Sequence, residues 1–270
     1  MTTPAIATAW DPAQYDRFKA ERTQPFLDLV DLLGPVPPGG RVVDLGCGTG
    51  ELTATLVDRL GAAEVLGLDH AEAMLAEARP RATGGRLRFD RADIGAFHQP
   101  GAWDVVLANA ALQWVPDHAT VLARWVASLR PGGQLAVQVP ANHDHPSHTV
   151  AAEVAASERF AHAFPTGPPP DPVAANVLTP EAYAVLLHEL GMVDVCVRLQ
   201  VYGHLLDGTA DVVEWVKGTT LNRFKAALVP EVFAELVERY RVELLLRLGE
   251  QRPFFYPFKR ILFCARVRTG

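Results

Sequence analysis

The sequence predicts an α/β fold in which helices cover both faces of a mostly parallel, seven-stranded sheet and further helices form a lid. Three observations support this prediction. Seven short apolar runs alternate with stretches of helical periodicity along the 270 residues. A glycine-rich turn follows the first apolar run, and acidic or amide side chains follow the next three. Ligands bind at such strand ends in open α/β sheets.

The first strand, Arg41–Val43, leads into the turn Asp44-Leu45-Gly46-Cys47-Gly48-Thr49-Gly50. A helical stripe of Leu52, Leu56 and Leu60 follows, so that strand, turn and helix N-terminus form a nucleotide-sized corner. Asp44 would repel a pyrophosphate and attract the ammonium and sulfonium groups of S-adenosylmethionine. The glycine spacing is not G-x-G-x-x-G, and no Gly-Lys-Ser/Thr follows. The motif therefore favours S-adenosylmethionine over a dinucleotide or a nucleoside triphosphate.

Polar residues also follow the next three predicted strands, which span residues 64–68, 86–91 and 103–107. Asp69 after the second strand suits a bidentate hydrogen bond to ribose hydroxyls. Asp93 after the third strand could accept from an adenine amino group, and Asn109 follows the fourth. Because the ends of parallel strands meet at one edge of a sheet, we expect these side chains to form one site with the glycine turn.

The later elements continue the alternation of helix and strand. They are a helical stripe of Leu122, Trp125, Val126 and Leu129 ended by Pro131-Gly132-Gly133, a strand Leu135–Pro140, a helix after Thr179, and strands Val193–Tyr202 and Ile261–Val267. Thr179-Pro180 has the form of an N-cap followed by proline at the first helical position. We expect one domain over residues 1–270, with a core of about 36–142, 179–205 and 256–268.

Three segments are additions to this core and can act as lids over the ligand edge: about 1–35, 143–178 and 206–255. The first is predicted to be a helix from about Pro12 to Leu33, with Tyr15, Phe18 and Arg22 on one face. The third contains Phe233, Leu236, Val237, Tyr240 and Leu244 at helical spacing.

Charge and cysteine usage restrict the function classes. The formal net charge of −6 gives no basic footprint, so nucleic-acid binding is not expected. The three cysteines contain no C-x-x-C pair, so neither a disulfide framework nor a metal site is indicated. The chain start lacks a signal-peptide pattern, and no apolar run of about 18 residues predicts a membrane helix. We expect a cytoplasmic protein, either a monomer or a dimer.

The chain resembles class I S-adenosylmethionine-dependent methyltransferases, which have a Rossmann-like fold, and more narrowly trans-aconitate methyltransferases. The segments that carry the resemblance are Trp10–Pro12 with Tyr15 and Phe18, Glu21–Pro25, the glycine turn, Ala108–Trp114 with Pro116–His118, Leu135–Pro140, Asn142, Pro146–His148, Val213–Val216 and Pro257–Arg260. The chain departs from the family at Thr219–Arg223, where relatives often have Thr-Gly-Leu-Arg-Pro and the arginine lies one position earlier.

The resemblance implies transfer of a methyl group from S-adenosylmethionine to a carboxylate of a small, anionic polycarboxylic acid, with S-adenosylhomocysteine as the second product. The strand ends and the resemblance together give the expected cofactor residues: Asp44, Gly46, Cys47, Gly48, Gly50, Asp69, His70, Met74, Asp93, Ile94, Asn109 and Ala110. The expected substrate-positioning residues are Tyr15, Arg22, Gln113, Trp114, His148 and Arg223. No side chain is expected to act as a general acid or base, because a carboxylate is already anionic at pH 7.

Several alternatives stay open at this level. Arg22 and Tyr15 are equally consistent with an amphipathic helix face, Trp114 with the core, and Arg223 with an exposed helix cation. The acceptor could instead be a natural-product acid, a phenol or an amine, in which case a histidine such as His148 would be needed as a base. A third hypothesis is a module that binds S-adenosylmethionine without turnover.

Overall fold

The computed structural model describes residues 19–269, with side chains from Thr23 onward. Its helices are α1 Lys19–Val30, α2 Glu51–Arg59, α3 Glu72–Ala78, α4 His118–Ala127, α5 Pro146–Ala155, α6 Pro172–Asn176, α7 Pro180–Glu189, α8 Asp211–Lys217, α9 Asn222–Lys225 and α10 Pro230–Leu248. Its strands are β1 Arg41–Leu45, β2 Glu64–Asp69, β3 Leu87–Arg91, β4 Trp103–Asn109, β5 Leu129–Pro140, β6 Val193–Leu206 and β7 Phe254–Arg266.

The seven strands form one sheet in the order β3-β2-β1-β4-β5-β7-β6. Strands β1 to β5 are parallel, and β7 is antiparallel to β5. The predicted fold class is therefore confirmed. The chain reverses its direction of strand addition at β1, which has β2 on one side and β4 on the other. Ligands of open α/β sheets bind at such a switch point.

The centre of the sheet is apolar because both of its faces are covered. Val42, Val43 and Leu45 of β1 are fully buried, as are Val105 and Val106 of β4. Such nearly continuous runs of branched side chains are typical of parallel strands buried on two sides. These buried side chains hold β1 and β4 in place, and the carboxyl ends of these strands carry Asp44 and Asn109.

The largest differences from the predicted element boundaries are at Leu129 and at the start of the last strand. Leu129 was expected to end a helical stripe, but α4 ends at Ala127 and Leu129 is the first residue of β5, where it pairs with Trp103. The last strand begins at Phe254 and not at Ile261. At Leu129, pairing in the sheet outweighs the local helical pattern, whereas at Phe254 the alternation of a strand is present in the sequence and was overlooked.

The described residues form two compact units. The sheet unit contains residues 19–140, 176–200 and 259–269, and the helical unit contains 141–175 and 201–258. The helical unit includes most of the two later segments that the sequence marks as additions, whereas α1 belongs to the sheet unit. That the whole chain acts as one domain stays a prediction.

The helical unit has its own apolar core. Leu236, Tyr240 and Leu244 of α10 are fully buried, and this face of the helix packs along α5. The hydroxyl of Tyr240 donates to the carbonyl of Ser147 at 2.9 Å, so the buried phenol has a partner. Spacing by four residues therefore predicted the correct face of α10.

No helix within residues 19–269 is both long enough and apolar enough to span a membrane.

Candidate functional site

The turn after β1 requires glycine at its first position. Gly46 has a φ of 82°, and a Cβ atom there would lie 2.3 Å from the Cβ of Ala111. Gly48 and Gly50 also have positive φ angles, of 56° and 71°. The left-handed backbone and the close approach to Ala111 explain why larger residues do not fit at Gly46. The same contact brings the turn against the segment that follows β4.

The backbone amides of this turn are bonded within the protein. Gly46 and Cys47 both donate to the carbonyl of Leu68, at 2.7 and 2.9 Å, and Gly48 donates to Oδ2 of Asp69 at 3.0 Å. The turn therefore does not offer these amides to a phosphate, unlike the loops that bind dinucleotides. A Cβ at Gly48 would meet none of the described atoms within 4 Å, so there is open space beside the turn.

Asp44 is a buried carboxyl group at the carboxyl end of β1. It is only 3% exposed, and Oγ1 of Thr53 donates to its Oδ2 at 2.5 Å. Burial raises the pKa of Asp44 to about 7, the hydrogen bond from Thr53 opposes this shift, and the nearby charge of Asp69 adds to it. A cationic ligand would relieve the cost of burying the ionised form.

Asp69 lies at the end of β2 and organises the turn. Its Oδ1 accepts from the amide of Ala71 at 2.8 Å, and its Oδ2 accepts from Gly48. Each carboxylate oxygen has two lone pairs, so both keep the capacity to accept a ribose hydroxyl. His70 next to it is exposed, with Nδ1 at 3.5 Å from Oδ1 of Asp69.

The end of β3 contributes Asp93 and Ile94. Asp93 is exposed and caps a short 3-10 turn by accepting from the amide of Gly95 at 2.8 Å. The Cδ1 atom of Ile94 lies 4.0 Å from the point where a Cβ of Gly46 would be, which places it beside the glycine turn. Met74 is buried on α3. Asp69 and Ile94 thus lie beside the glycine turn. That the strand-end residues together bind one ligand stays a prediction.

The segment after β4 has an unusual backbone and two unpaired acceptors. Ala110 has a φ of 52°, which L-amino acids other than glycine rarely adopt. Its amide donates to the carbonyl of Gln138 at 2.9 Å, and its carbonyl accepts from Nε2 of Gln113 at 2.7 Å. Among the described residues, the buried Oδ1 of Asn109 and Oε1 of Gln113 have no hydrogen-bond partner. Such acceptors are costly unless a ligand or water satisfies them.

These features fit S-adenosylmethionine. A buried carboxyl group, two unpaired amide oxygens and a turn whose amides are already bonded form an environment for a cation. The sulfonium and ammonium groups of S-adenosylmethionine are cationic, and its ribose offers two hydroxyls within the capacity of Asp69. A pyrophosphate would meet acceptors where it needs donors.

A second cluster of polar residues lies inside the helical unit. Nδ1 of His148 and Nη1 of Arg223 each lie 3.0 Å from Oδ2 of Asp171. Burial alone would raise the pKa of Asp171, but the hydrogen bond from His148 and the charges of His148 and Arg223 hold it well below its usual range. Both His148 and Arg223 are 5% exposed. Asp171 is thus an ionised carboxylate shared by two basic groups.

Comparison with known proteins identifies the family. Residues 42–133 match a family model described as a methyltransferase domain. The trans-aconitate 2-methyltransferase of Deinococcus radiodurans is 44% identical over 95% of this chain and 97% of the relative. The relative of the same name from Streptomyces coelicolor is 39% identical over 99% of this chain and 89% of the relative. The chain belongs to the trans-aconitate 2-methyltransferase family. It is an S-adenosylmethionine-dependent methyltransferase, and the resemblance stated from the sequence is confirmed.

A solved structure supports the fold of this family member. Phosphoethanolamine N-methyltransferase 2 of Haemonchus contortus, in complex with S-adenosylmethionine, superposes with a TM-score of 0.55 and 18% identity. The match covers 91% of this chain and 52% of that one, so the chain spans about half of its length. At this identity the likeness shows a shared fold and not a shared acceptor.

The six predicted substrate residues of this family member do not all lie in one unit. Two lie in the sheet unit, two lie in the helical unit, and the side chains of the other two are not described. Tyr15 lies outside the described residues, and the side chain of Arg22 is not described. Gln113 and Trp114 form a short 3-10 turn in the sheet unit, where Gln113 is buried and Trp114 is half-buried. His148 and Arg223 come together on Asp171 in the helical unit, so Arg223 is not the exposed helix cation considered as the alternative.

Sequence reasoning missed two members of the cluster, Asp171 and Thr220. Asp171 follows Gly167-Pro168-Pro169-Pro170, a composition that indicates only a turn. Oγ1 of Thr220 lies 3.4 and 3.5 Å from the ring nitrogens of His148. Asn176, whose side chain donates to the carbonyl of Gln113 at 2.9 Å, was also missed. Several other acids also lie between His148 and Arg223 in the sequence, so no local signal could have pointed to Asp171.

Among the described side chains, which begin at Thr23, no three His, Cys, Asp or Glu residues are arranged to hold a metal ion. The expectation that no metal takes part stays a prediction.

Proposed function

We propose that this protein transfers the methyl group of S-adenosylmethionine to a carboxylate oxygen of trans-aconitate or a close relative, which yields a methyl ester and S-adenosylhomocysteine. The observation that carries the proposal is the near-full-length similarity to relatives that bear the name trans-aconitate 2-methyltransferase. The acceptor is then a small polycarboxylic acid, and we expect the reaction to take place in the cytoplasm.

The proposed cofactor residues divide by the chemistry of the ligand. Asp44 and the unpaired oxygen of Asn109 would face the cationic groups. Asp69 would accept from the ribose hydroxyls and Asp93 from the adenine amino group. The remaining proposed contacts come from Gly46, Cys47, Gly48, Gly50, His70, Met74, Ile94 and Ala110.

The reaction requires the protein to align the reacting atoms and to exclude water, and it requires no proton transfer. A carboxylate oxygen forms the new bond to the methyl carbon while the carbon–sulfur bond breaks, and the electron pair stays on sulfur as a neutral thioether. Carboxylic acids ordinarily have a pKa of about 4, so the acceptor needs no general base at neutral pH. Alignment of oxygen, carbon and sulfur can contribute roughly 7–11 kcal/mol. Because charge is neutralised as the bond forms, exclusion of water also favours the reaction.

The proposed substrate-positioning residues are Tyr15, Arg22, Gln113, Trp114, His148 and Arg223. Their common property is the ability to donate hydrogen bonds to carboxylates or to shape an apolar wall. On a chain with a net charge of −6, basic groups that serve a polyanion must be locally concentrated. His148 and Arg223 on Asp171 meet this requirement.

The test is a transfer assay with methyl-labelled S-adenosylmethionine and trans-aconitate. We expect label on the acid that mild base releases, because esters are base-labile whereas methyl ethers and methylamines are not. The Asp69→Ala variant is the matched control, because its weaker binding of S-adenosylmethionine should reduce the amount of label transferred. Absence of transfer, together with measurable binding of S-adenosylmethionine, would contradict the proposed acceptor and direct the search to other acids, phenols and amines.

A further inference from the structure

The guanidinium of Arg223 has an unused edge. Its Nη1 lies 3.0 Å from Oδ2 of Asp171, which is an ion-pair distance. None of its three nitrogens makes a hydrogen bond to a described residue, and Nε and Nη2 also lack an ion-pair partner among these residues. The side chain is 95% buried, and Cζ lies 4.5 Å from the centre of the Phe224 ring. Buried charged donors without partners are strongly unfavourable, so native structures retain them where a ligand or water completes them.

The edge of the guanidinium formed by Nε and Nη2 has the geometry to bind a carboxylate. Nε–H and Nη2–H lie side by side in the guanidinium plane and donate in parallel, which matches the two oxygens of a carboxylate. Asp171 approaches through Nη1, so it does not compete for this edge. A lysine at the same position could carry the charge but could not present two parallel donors.

Asp171 holds the arginine in position. The same Oδ2 that forms the ion pair with Nη1 also accepts from Nδ1 of His148 at 3.0 Å. An ionised carboxylate can only accept, so the hydrogen must be on Nδ1, and this fixes the orientation of the imidazole ring. The hydroxyl of Thr220 lies against the ring nitrogens. Asp171 therefore holds the guanidinium from one side, while its other edge is buried and has no partner among the described residues.

We propose that Arg223 binds one carboxylate of the acceptor through Nε and Nη2, and that Asp171 is the positioning residue that orients Arg223 for this bond. The inference rests on the proposed function, in which the acceptor carries several carboxylates. A carboxylate held by a bidentate charge-assisted bond has both oxygens engaged and its charge neutralised, so it is a poor nucleophile. The carboxylate on Arg223 is thus one that is not methylated.

The first test compares Arg223→Lys with the wild type. We expect KM for trans-aconitate to rise about 10- to 100-fold, while kcat changes by less than about threefold and the Kd of S-adenosylmethionine is unchanged. The matched control is Arg159→Lys, because Arg159 makes a bidentate ion pair with Glu235 in the same unit but is exposed. An Arg223→Lys enzyme with an unchanged KM would overturn the inference.

The second test asks whether Asp171 acts through Arg223. Asp171→Asn alone should raise KM by about tenfold. Combined with Arg223→Lys, it should add little, because the edge that it orients is already lost. Full additivity of the two changes in KM, or an effect of Asp171→Asn on kcat alone, would contradict the positioning role. Far-ultraviolet circular dichroism of each variant separates these outcomes from unfolding.

A binding series separates failure of this inference from failure of the proposed function. Calorimetry with S-adenosylhomocysteine present would compare trans-aconitate with itaconate, mesaconate and glutaconate, each of which lacks one of its carboxylates. The acid that lacks the carboxylate held by Arg223 should bind wild type and Arg223→Lys equally, whereas the other two should discriminate them about 10- to 100-fold. If each of the four acids binds the wild type and Arg223→Lys with the same affinity, the inference is overturned even if methyl transfer occurs. Discrimination without transfer would retain the carboxylate subsite and reject the proposed methylation. An absence of binding of any acid to the wild type would reject both.

Discussion

The protonation state of Asp44 should depend on the charge of the ligand beside it. Asp44 lies next to the last residue of β1 in a buried part of the strand, and its pKa of about 7 results from burial, with Thr53 opposing the shift and Asp69 adding to it. A pKa above the ordinary value means that the folded protein favours the neutral carboxyl group. Asp44 therefore contributes most to stability below about pH 4, and this contribution is lost as pH rises to about 7.

A cation bound beside Asp44 should favour its ionised form, so affinity for S-adenosylmethionine should depend on pH. With a pKa of about 7, one-tenth of Asp44 is ionised at pH 6, and binding should weaken about tenfold between pH 8 and pH 6. The measurement is Kd by calorimetry at both values for wild type and Asp44→Asn. The titration of the ligand's own amine is common to both proteins. The same pH slope in the variant would rule out this role for Asp44.

The role of Asp69 can be tested in the same way. Its replacement by alanine removes acceptors for the ribose and for the amides of Gly48 and Ala71. We expect the affinity for S-adenosylmethionine to fall by about 1.5–3 kcal/mol, the usual scale for hydrogen bonds to charged groups. Asp90→Ala, which removes an exposed acid from the neighbouring strand β3, is the control. If calorimetry gives equal affinities for both variants and the wild type, Asp69 does not bind the ribose.

Residue-level prediction from the sequence reaches furthest where backbone geometry dictates residue type, although the roles of these residues stay predictions. The Gly46 turn and the acids after β1, β2 and β3 follow from their position at strand ends, which the alternation of strand and helix makes visible. The Arg223–Asp171–His148 cluster could not be predicted in full. Its members come from separate segments, and the pairing of charges across a fold leaves no periodic signal in the chain.

At the scale of elements, α10 offers a clear contrast between two leucines on one helix. Leu244 is fully buried in the core of the helical unit, whereas Leu246 is 76% exposed. Leu244→Ala should lower the free energy of unfolding by about 2–5 kcal/mol, and Leu246→Ala should change it by less than about 0.5 kcal/mol. Denaturant unfolding followed by circular dichroism gives both values. Similar losses for the two variants would mean that α10 is rotated relative to this structure.

Most elements were predicted correctly, and the errors have a physical cause. Strong periodicity identified β1, β2 and α10, because burial on one or two faces leaves a pattern in the sequence. Leu129 continued the helical spacing of α4 but pairs with Trp103, and a contact so distant in sequence has no local mark. The aromatic alternation of Phe254, Tyr256 and Phe258 in β7 was overlooked, although period two was present.

At the scale of the whole molecule, the two compact units cannot be separated by one cut. Within residues 19–269, the chain passes from one unit to the other after residues 140, 175, 200 and 258. Strands β6 and β7 each contain residues of both units. A unit that depends on four passages of the chain is a poor candidate for independent folding, because separate domains are normally joined by few linkers.

We therefore expect calorimetry to give a single unfolding transition that moves as a whole with the cofactor. S-adenosylmethionine at about 100 times its Kd should stabilise the folded state by about 2.7 kcal/mol, which raises Tm by roughly 5–10 °C for a chain of this size. Asp69→Ala should show a smaller shift at the same concentration, which links the effect to the proposed site. Two transitions, of which S-adenosylmethionine moves one and leaves the other, would show that the sheet unit binds the cofactor as an independent domain. The prediction of one domain over residues 1–270 would then be wrong.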